Sequence, residues 1–173
     1  MKKFNARKEE HFIGLFEKFF APYRDKDIRF LEIGVQDGGS MKMWESYFPS
    51  AEIVGIDNDE NCLQYETERV SVHIGDQADR EFMEGLGQFD IVIDDGGHKM
   101  SQHRISFDVL FPKMPKGSLY IIEDLHTCYM DEYVDDRATT EWLKECIDEI
   151  QKEGSEYSIK AIHVYKSIVI IEK

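Results

Sequence analysis

The sequence predicts an α/β fold, a mostly parallel sheet of seven strands with helices on both faces and an antiparallel hairpin at the carboxyl end. Short apolar runs alternate with amphipathic stretches, which is the pattern of repeated strand–helix units. The first run flows into a glycine-rich turn and then a helix. The last two runs, 158–164 and 167–172, are separated only by Tyr165-Lys166, too few residues for a crossover and enough for a tight turn. The alternation alone would also suit a flavodoxin-like sheet, but the terminal hairpin argues against that.

Taken in order, Phe12, Leu15, Phe16, Phe19 and Phe20 recur at helical spacing and predict a helix over 8–20 that Pro22 closes. Strand 1 follows at 28–33, then a helix through Met41, Trp44 and Phe48 that stops before Pro49. Strands 2 and 3 fall at 52–57 and 70–74, with a short helix at 79–86. Strand 4 at 89–94 leads to a helix over 101–111, ended by Pro112, and Gly117 opens strand 5 at 118–123. A polar loop over 127–137, carrying Tyr129 and Tyr133, is long enough to serve as a lid. A helix over 140–152 precedes the hairpin.

A length of 173 residues with 42% hydrophobic residues fits one domain, 1–173, with the helix at 8–20 ahead of a core at 28–173. The net charge of −14 argues against a nucleic-acid substrate, whose phosphates require lysine and arginine. Cys62, Cys128 and Cys146 are widely spaced and form no Cys-x-x-Cys pair, so neither disulfides nor a thiolate zinc site is expected. Residues 1–10 lack the apolar core of a signal peptide and no run reaches membrane-spanning length, so no membrane partner and a cytoplasmic location are expected.

The chemistry gathers at the carboxyl ends of the strands, where open α/β sheets bind ligands. After Glu32, Gly34, Gly38 and Gly39 remove side chains where a ligand would press on the backbone, and Ser40 opens the helix. Gln36 stands where a dinucleotide fingerprint needs glycine, which disfavours a pyrophosphate cradle. Asp57, ending strand 2, has the two acceptor oxygens that a ribose diol needs, and Asp76 and Gln77 after strand 3 offer acceptor and donor groups to an adenine edge. Strands 4 and 5 end in Asp94-Asp95 and Glu123-Asp124. Four acids at one edge repel, and an all-oxygen set is what Mg²⁺ or Ca²⁺ takes. Adjacent side chains diverge in extended backbone, so each pair need not share one ligand; Asp94 is assigned to the cofactor side and Asp95, Glu123 and Asp124 to the metal, and the plain alternative is a set of solvated strand ends. His98, three residues past Asp95 in a glycine turn, is the candidate general base, and His126 is the second candidate.

The segments 30–44, Gly75-Asp76-Gln77, 93–98, 120–126 and 167–173 resemble, in that order, the metal-dependent sugar O-methyltransferases of macrolide and polyketide tailoring. The mycinamicin and rhamnosyl O-methyltransferases belong there, with cephalosporin-hydroxylase-type proteins as relatives. The resemblance runs from Lys8 onward and implies a Rossmann-like, class I S-adenosylmethionine-dependent methyltransferase. It further implies S-adenosylmethionine and Mg²⁺, or another divalent cation, as cofactors, with a sugar-containing small molecule as acceptor. The family's ligands fall on Asp95, Glu123 and Asp124, and its base on His98. The family commonly has Ser where Gly97 stands, a change that removes no ligand. Many relatives carry an extra amino-terminal domain whereas here only Met1 to Lys26 stands ahead of the first strand, which leaves the acceptor's identity and a homo-oligomeric state open. Two other readings are a metal-using lyase or hydroxylase-like enzyme, and a non-catalytic cofactor-binding subunit, which would need neither His98 nor the triad.

Overall fold

The computed structural model describes residues 8–152, 155 and 157–173. Strands β1 (Arg29–Ile33), β2 (Glu52–Asp57), β3 (Val70–Ile74), β4 (Ile91–Asp94), β5 (Leu119–Ile122), β6 (Ala161–Tyr165) and β7 (Ile168–Glu172) form one sheet in the order β3-β2-β1-β4-β5-β7-β6. The first five are parallel, and β7 runs antiparallel to both β5 and β6. Strands β4 and β5 are buried along their whole length, as their unbroken apolar sequences require. At the β6 edge, where the ladder is open, His163 Nε2 lies 2.7 Å from Glu172 and Lys160 donates to the same carboxylate at 2.8 Å.

The register positions the site. Ile33 pairs with Ile56 and Asp94, and Asp94 pairs with Ile122, so Gly34, Asp57, Asp95 and Glu123 leave the sheet side by side.

Helices α1 (Glu10–Phe20), α2 (Gly39–Tyr47), α3 (Arg80–Gly85), α4 (Met100–Leu110) and α5 (Thr139–Gln151) cover the sheet. On one face the aromatic stripe of α1 is driven inward: Phe16 stacks on Phe20 at 5.2 Å and meets Trp44 of α2 edge-on at 5.2 Å. Each such buried phenylalanine contributes about 2–3 kcal/mol of burial energy, enough to fix the helix. On the other face Phe107 of α4 packs against Phe111, Tyr120 and Trp142. The anchoring of α1 matters for function, because it holds Lys8, just ahead of the Glu9 cap, at the carboxyl edge of the sheet.

Most elements shift by a residue or two from the sequence expectation, β6 starts at Ala161 where 158 was expected, and four further differences stand out. The helix expected from Lys8 starts at Glu10, leaving Lys8 outside it. The hairpin turns at Lys166-Ser167, with Ser167 in the left-handed region at φ 60°, one residue later than the apolar pattern suggested. A 3-10 helix at Glu60–Tyr65, too short to show a period, buries Cys62 and brings Tyr65 against Gly38. The expected lid loop opens with another 3-10 helix, Leu125–Tyr129. All three cysteines are free and buried, and among the described residues no helix is long and apolar enough to cross a membrane.

Candidate functional site

At the carboxyl edge of β1 to β5 a cavity of about 610 Å³ opens beside the glycine turn. Gly34 takes φ 95° there, and a β-carbon on it would collide with the carbonyl oxygen of Asp95, so β1 and β4 can lie this close only with glycine at that point. The next two amides, of Val35 and Gln36, donate to Asp57 Oδ2 at 2.9 and 3.0 Å, and Asp59 N donates to Oδ1 at 3.0 Å. Burial pushes the Asp57 carboxyl up, but the donors on Gln36, Asp59 and Val35 outweigh it and hold the pKa below the ordinary value. A carboxylate that binds protons less readily when folded stabilises the fold above its unfolded pKa and loses that contribution as the pH falls through the folded one. Asp57→Asn should therefore destabilise the protein at neutral pH, with the gap to wild type closing as denaturation is repeated below the ordinary aspartate range. A gap that stays constant with pH would contradict this.

Of the residues expected to hold a cofactor, Gly34, Ser40, Asp57, Asp76 and Gln77 line the cavity, while Glu32, Gly38, Gly39 and Asp94 stand behind its wall. Each of the latter has protein partners that explain it. A β-carbon on Gly38 would strike the Tyr65 ring, so the room that glycine makes goes to a side chain and not to a ligand. Gly39 N donates to Asp37 Oδ1 at 3.2 Å, inside the turn. Asp94 accepts from Gln77 Nε2 at 3.0 Å and from Tyr120 Oη at 3.3 Å. Gln77 is itself committed, since its Oε1 accepts from Gly97 N at 2.8 Å and so ties β3 to the turn after β4.

The acids form two clusters that share Asp95. Asp95, His98 and Asp124 face the cavity, while Glu32, Asp95 and Glu123 lie beneath it. The structure thus separates Glu123 from Asp124, which the sequence had grouped: Glu123 is 2% exposed, and at Asp124 the chain turns into the left-handed region at φ 55°, aiming the two side chains apart. His98 also takes a left-handed φ, 57°, which folds its ring back over the edge. Its Nε2 lies 3.8 Å from Asp95 Oδ1 and 3.7 Å from Asp124 Oδ2, and its side chain is 18% exposed. His126, the rival base, is 52% exposed with Nδ1 3.9 Å from Asp124. His103, given no setting by the sequence, is fully buried behind His98 at a ring separation of 6.3 Å, with Nδ1 2.9 Å from Thr139 Oγ1, and burial lowers its pKa.

One residue was missed entirely. The Lys8 ammonium donates to Asp95 Oδ2 at 2.5 Å and to Glu123 Oε1 at 2.8 Å, and lies 2.8 Å from Glu32 Oε1. Glu32 is completed on its other oxygen by Trp44 Nε1 at 3.0 Å. Burial lowers the Lys8 pKa, but the charges of Glu123, Glu32 and Asp95 more than compensate and raise it well above the ordinary value. Burial likewise raises the carboxyl pKa values of Glu123 and Glu32 against the pull of Lys8. The need for a cation among these acids was legible in the sequence; that a lysine ahead of α1 would supply one was not.

No family model matches the chain. Among curated proteins it is 35% identical to mycinamicin VI 2''-O-methyltransferase of Micromonospora griseorubida, over 91% of this chain and 47% of that one. It is 33% identical to 8-demethyl-8-(2-methoxy-alpha-L-rhamnosyl)-tetracenomycin-C 3'-O-methyltransferase of Streptomyces olivaceus, over 94% and 49%. The solved structure of MycE methyltransferase in complex with Mg, SAH and mycinamycin VI superposes with a TM-score of 0.88 at 35% identity, covering 94% of this chain and 49% of that one. The chain spans about half the length of the curated relatives it matches. A caffeoyl-CoA O-methyltransferase-like structure from Staphylococcus aureus, at 15% identity and a TM-score of 0.63, shares the fold alone. By sequence the chain is homologous to about half the length of these O-methyltransferases, and by architecture it has the class I methyltransferase fold.

Proposed function

We propose that the chain transfers a methyl group from S-adenosylmethionine to a hydroxyl of a sugar-containing small molecule, assisted by Mg²⁺ or another divalent cation. The observation that carries this is the meeting of one cavity with the Asp95–His98–Asp124 cluster, which puts a nucleoside-sized space beside two carboxylates and an imidazole. Support also comes from the relatives, named as O-methyltransferases of mycinamicin VI and of a rhamnosyl-tetracenomycin, and from MycE in its Mg and SAH complex.

The residues fit both groups. Asp57 keeps one acceptor site, on Oδ1, beyond those its three backbone donors use, and with Asp76 it lines the part of the cavity formed by β2 and β3, where a ribose and an adenine edge would lie. At the acidic edge, Asp95, Asp124 and Glu123 are oxygen donors of the type a hard divalent cation selects, and Lys8 already places a positive charge between Asp95 and Glu123. When bound, the cation would supply Lewis-acid lowering of the acceptor hydroxyl's pKa. His98 Nε2, 3.8 Å from Asp95 and 3.7 Å from Asp124 on the cavity side, is the proposed acceptor of the hydroxyl proton. Gln77, by holding the turn after β4, keeps His98 and Asp95 in fixed relation, so that positioning supplies much of the rate.

The test is incubation with methyl-labelled S-adenosylmethionine, Mg²⁺ and a panel of rhamnosides and deoxysugar macrolides, read by mass spectrometry. A labelled O-methyl glycoside is expected, abolished by EDTA and restored by Mg²⁺. Cofactor binding with no transfer to any acceptor would favour the non-catalytic subunit, and full transfer in excess EDTA would remove the metal from the scheme.

A further inference from the structure

Glu123 does not line the cavity, and Lys8 does. The Lys8 ammonium, 2.8 Å from Glu123 Oε1, thus stands between the cavity and that carboxylate. Resting on the cation site proposed above, we propose that Lys8 and the divalent cation are alternative occupants of the space between Asp95 and Glu123, so that metal uptake expels the ammonium into the cavity.

The geometry makes the two exclusive. Lys8 Nζ holds Asp95 Oδ2 at 2.5 Å and Glu123 Oε1 at 2.8 Å. A magnesium ion on the same two oxygens, with metal–oxygen lengths of about 2 Å, would lie within about 4 Å of that ammonium. Two cations that close in a low-dielectric recess repel strongly. The carboxylates gain by the exchange, because a divalent ion opposes their charge better than a single ammonium does. Asp95 and Asp124 both line the cavity, with Oδ1 and Oδ2 3.8 and 3.7 Å from His98 Nε2, so an incoming ion meets two of its oxygens before Lys8 must leave. Lys8 is also built to move. It precedes the Glu9 cap of α1, whose hold on the sheet comes from Phe12, Phe16 and Phe20, so a swing of its flexible stem costs the helix nothing. In the metal-free protein the ammonium keeps three acids assembled that would otherwise repel one another, and so preserves the site for the ion.

The test uses the wild-type protein and a pulse of an amine-reactive ester, with peptide mapping by mass spectrometry, in EDTA and in saturating Mg²⁺. Calorimetry with Mg²⁺ runs in parallel on wild type and Lys8→Met. Lys8 should label roughly tenfold or more faster with Mg²⁺, while exposed Lys42 stays constant, and Lys8→Met should bind Mg²⁺ roughly tenfold or more tightly than wild type. If Lys8→Met does not fold, the wild-type labelling decides alone. Mg²⁺ uptake with Lys8 still protected, or weaker binding by Lys8→Met, overturns the exchange and leaves the cation site standing. No Mg²⁺ uptake by either protein overturns the cation site and the exchange together.

Discussion

Lys8→Met is expected to lower the stability of the metal-free protein by about 3–5 kcal/mol, the usual cost of removing one partner from a buried charge network. Methionine matches the stem of the lysine in length and keeps its apolar contacts, so the loss reports the ammonium. Without it, Glu32 and Glu123, both almost fully buried, face Asp95 with no positive charge between them. Urea denaturation in EDTA measures the effect, and Mg²⁺ should restore part of it through binding to the folded state. A loss under about 1 kcal/mol would mean that the acids are neutral in the fold and need no cation.

His98→Ala is expected to cost about two to four orders of magnitude in turnover, the range for a positioned acid–base group. S-adenosylmethionine affinity should stay within a few-fold of wild type, because the histidine stands at the acidic edge of the cavity and away from Asp57 and Asp76. His126→Ala, removing a half-exposed side chain, should leave turnover near wild type. Single-turnover rates under saturating Mg²⁺ and cofactor decide. A His98→Ala protein within a few-fold of wild type would move the base to His126 or to a metal-bound water, and a large fall in Mg²⁺ affinity would make His98 a ligand instead.

The central strands β4 and β5 were legible because they are buried on both faces and therefore read as apolar runs, Ile91-Val92-Ile93 and Tyr120-Ile121-Ile122, while the edge strand β3 showed instead the alternation of Val70, Ser71, Val72 and His73. The edge to which Asp95, Glu123 and Asp124 belong followed from strand direction alone. What could not be read was how each residue leaves that edge. The left-handed turn at Asp124 is adopted by a non-glycine residue and has no sequence signature, yet it separates Asp124 from Glu123. Gly38 was legible as a glycine that something must approach, but its neighbour Tyr65 comes from a 3-10 helix too short to show a period. Lys8 was hidden for a different reason. One lysine among several basic residues near the amino terminus is ordinary, and only the packing of α1 against Trp44 brings it to the acids.

Calorimetric titration with S-adenosylmethionine in the presence of Mg²⁺ tests the proposed cofactor cavity most directly, with NAD as the control ligand. One S-adenosylmethionine per chain is expected. Asp57→Asn should weaken it, because the amide loses one of the acceptor groups facing the ribose, while NAD gives no heat. Binding of NAD with none of S-adenosylmethionine, or S-adenosylmethionine binding unchanged in a folded Asp57→Asn protein, would contradict the assignment.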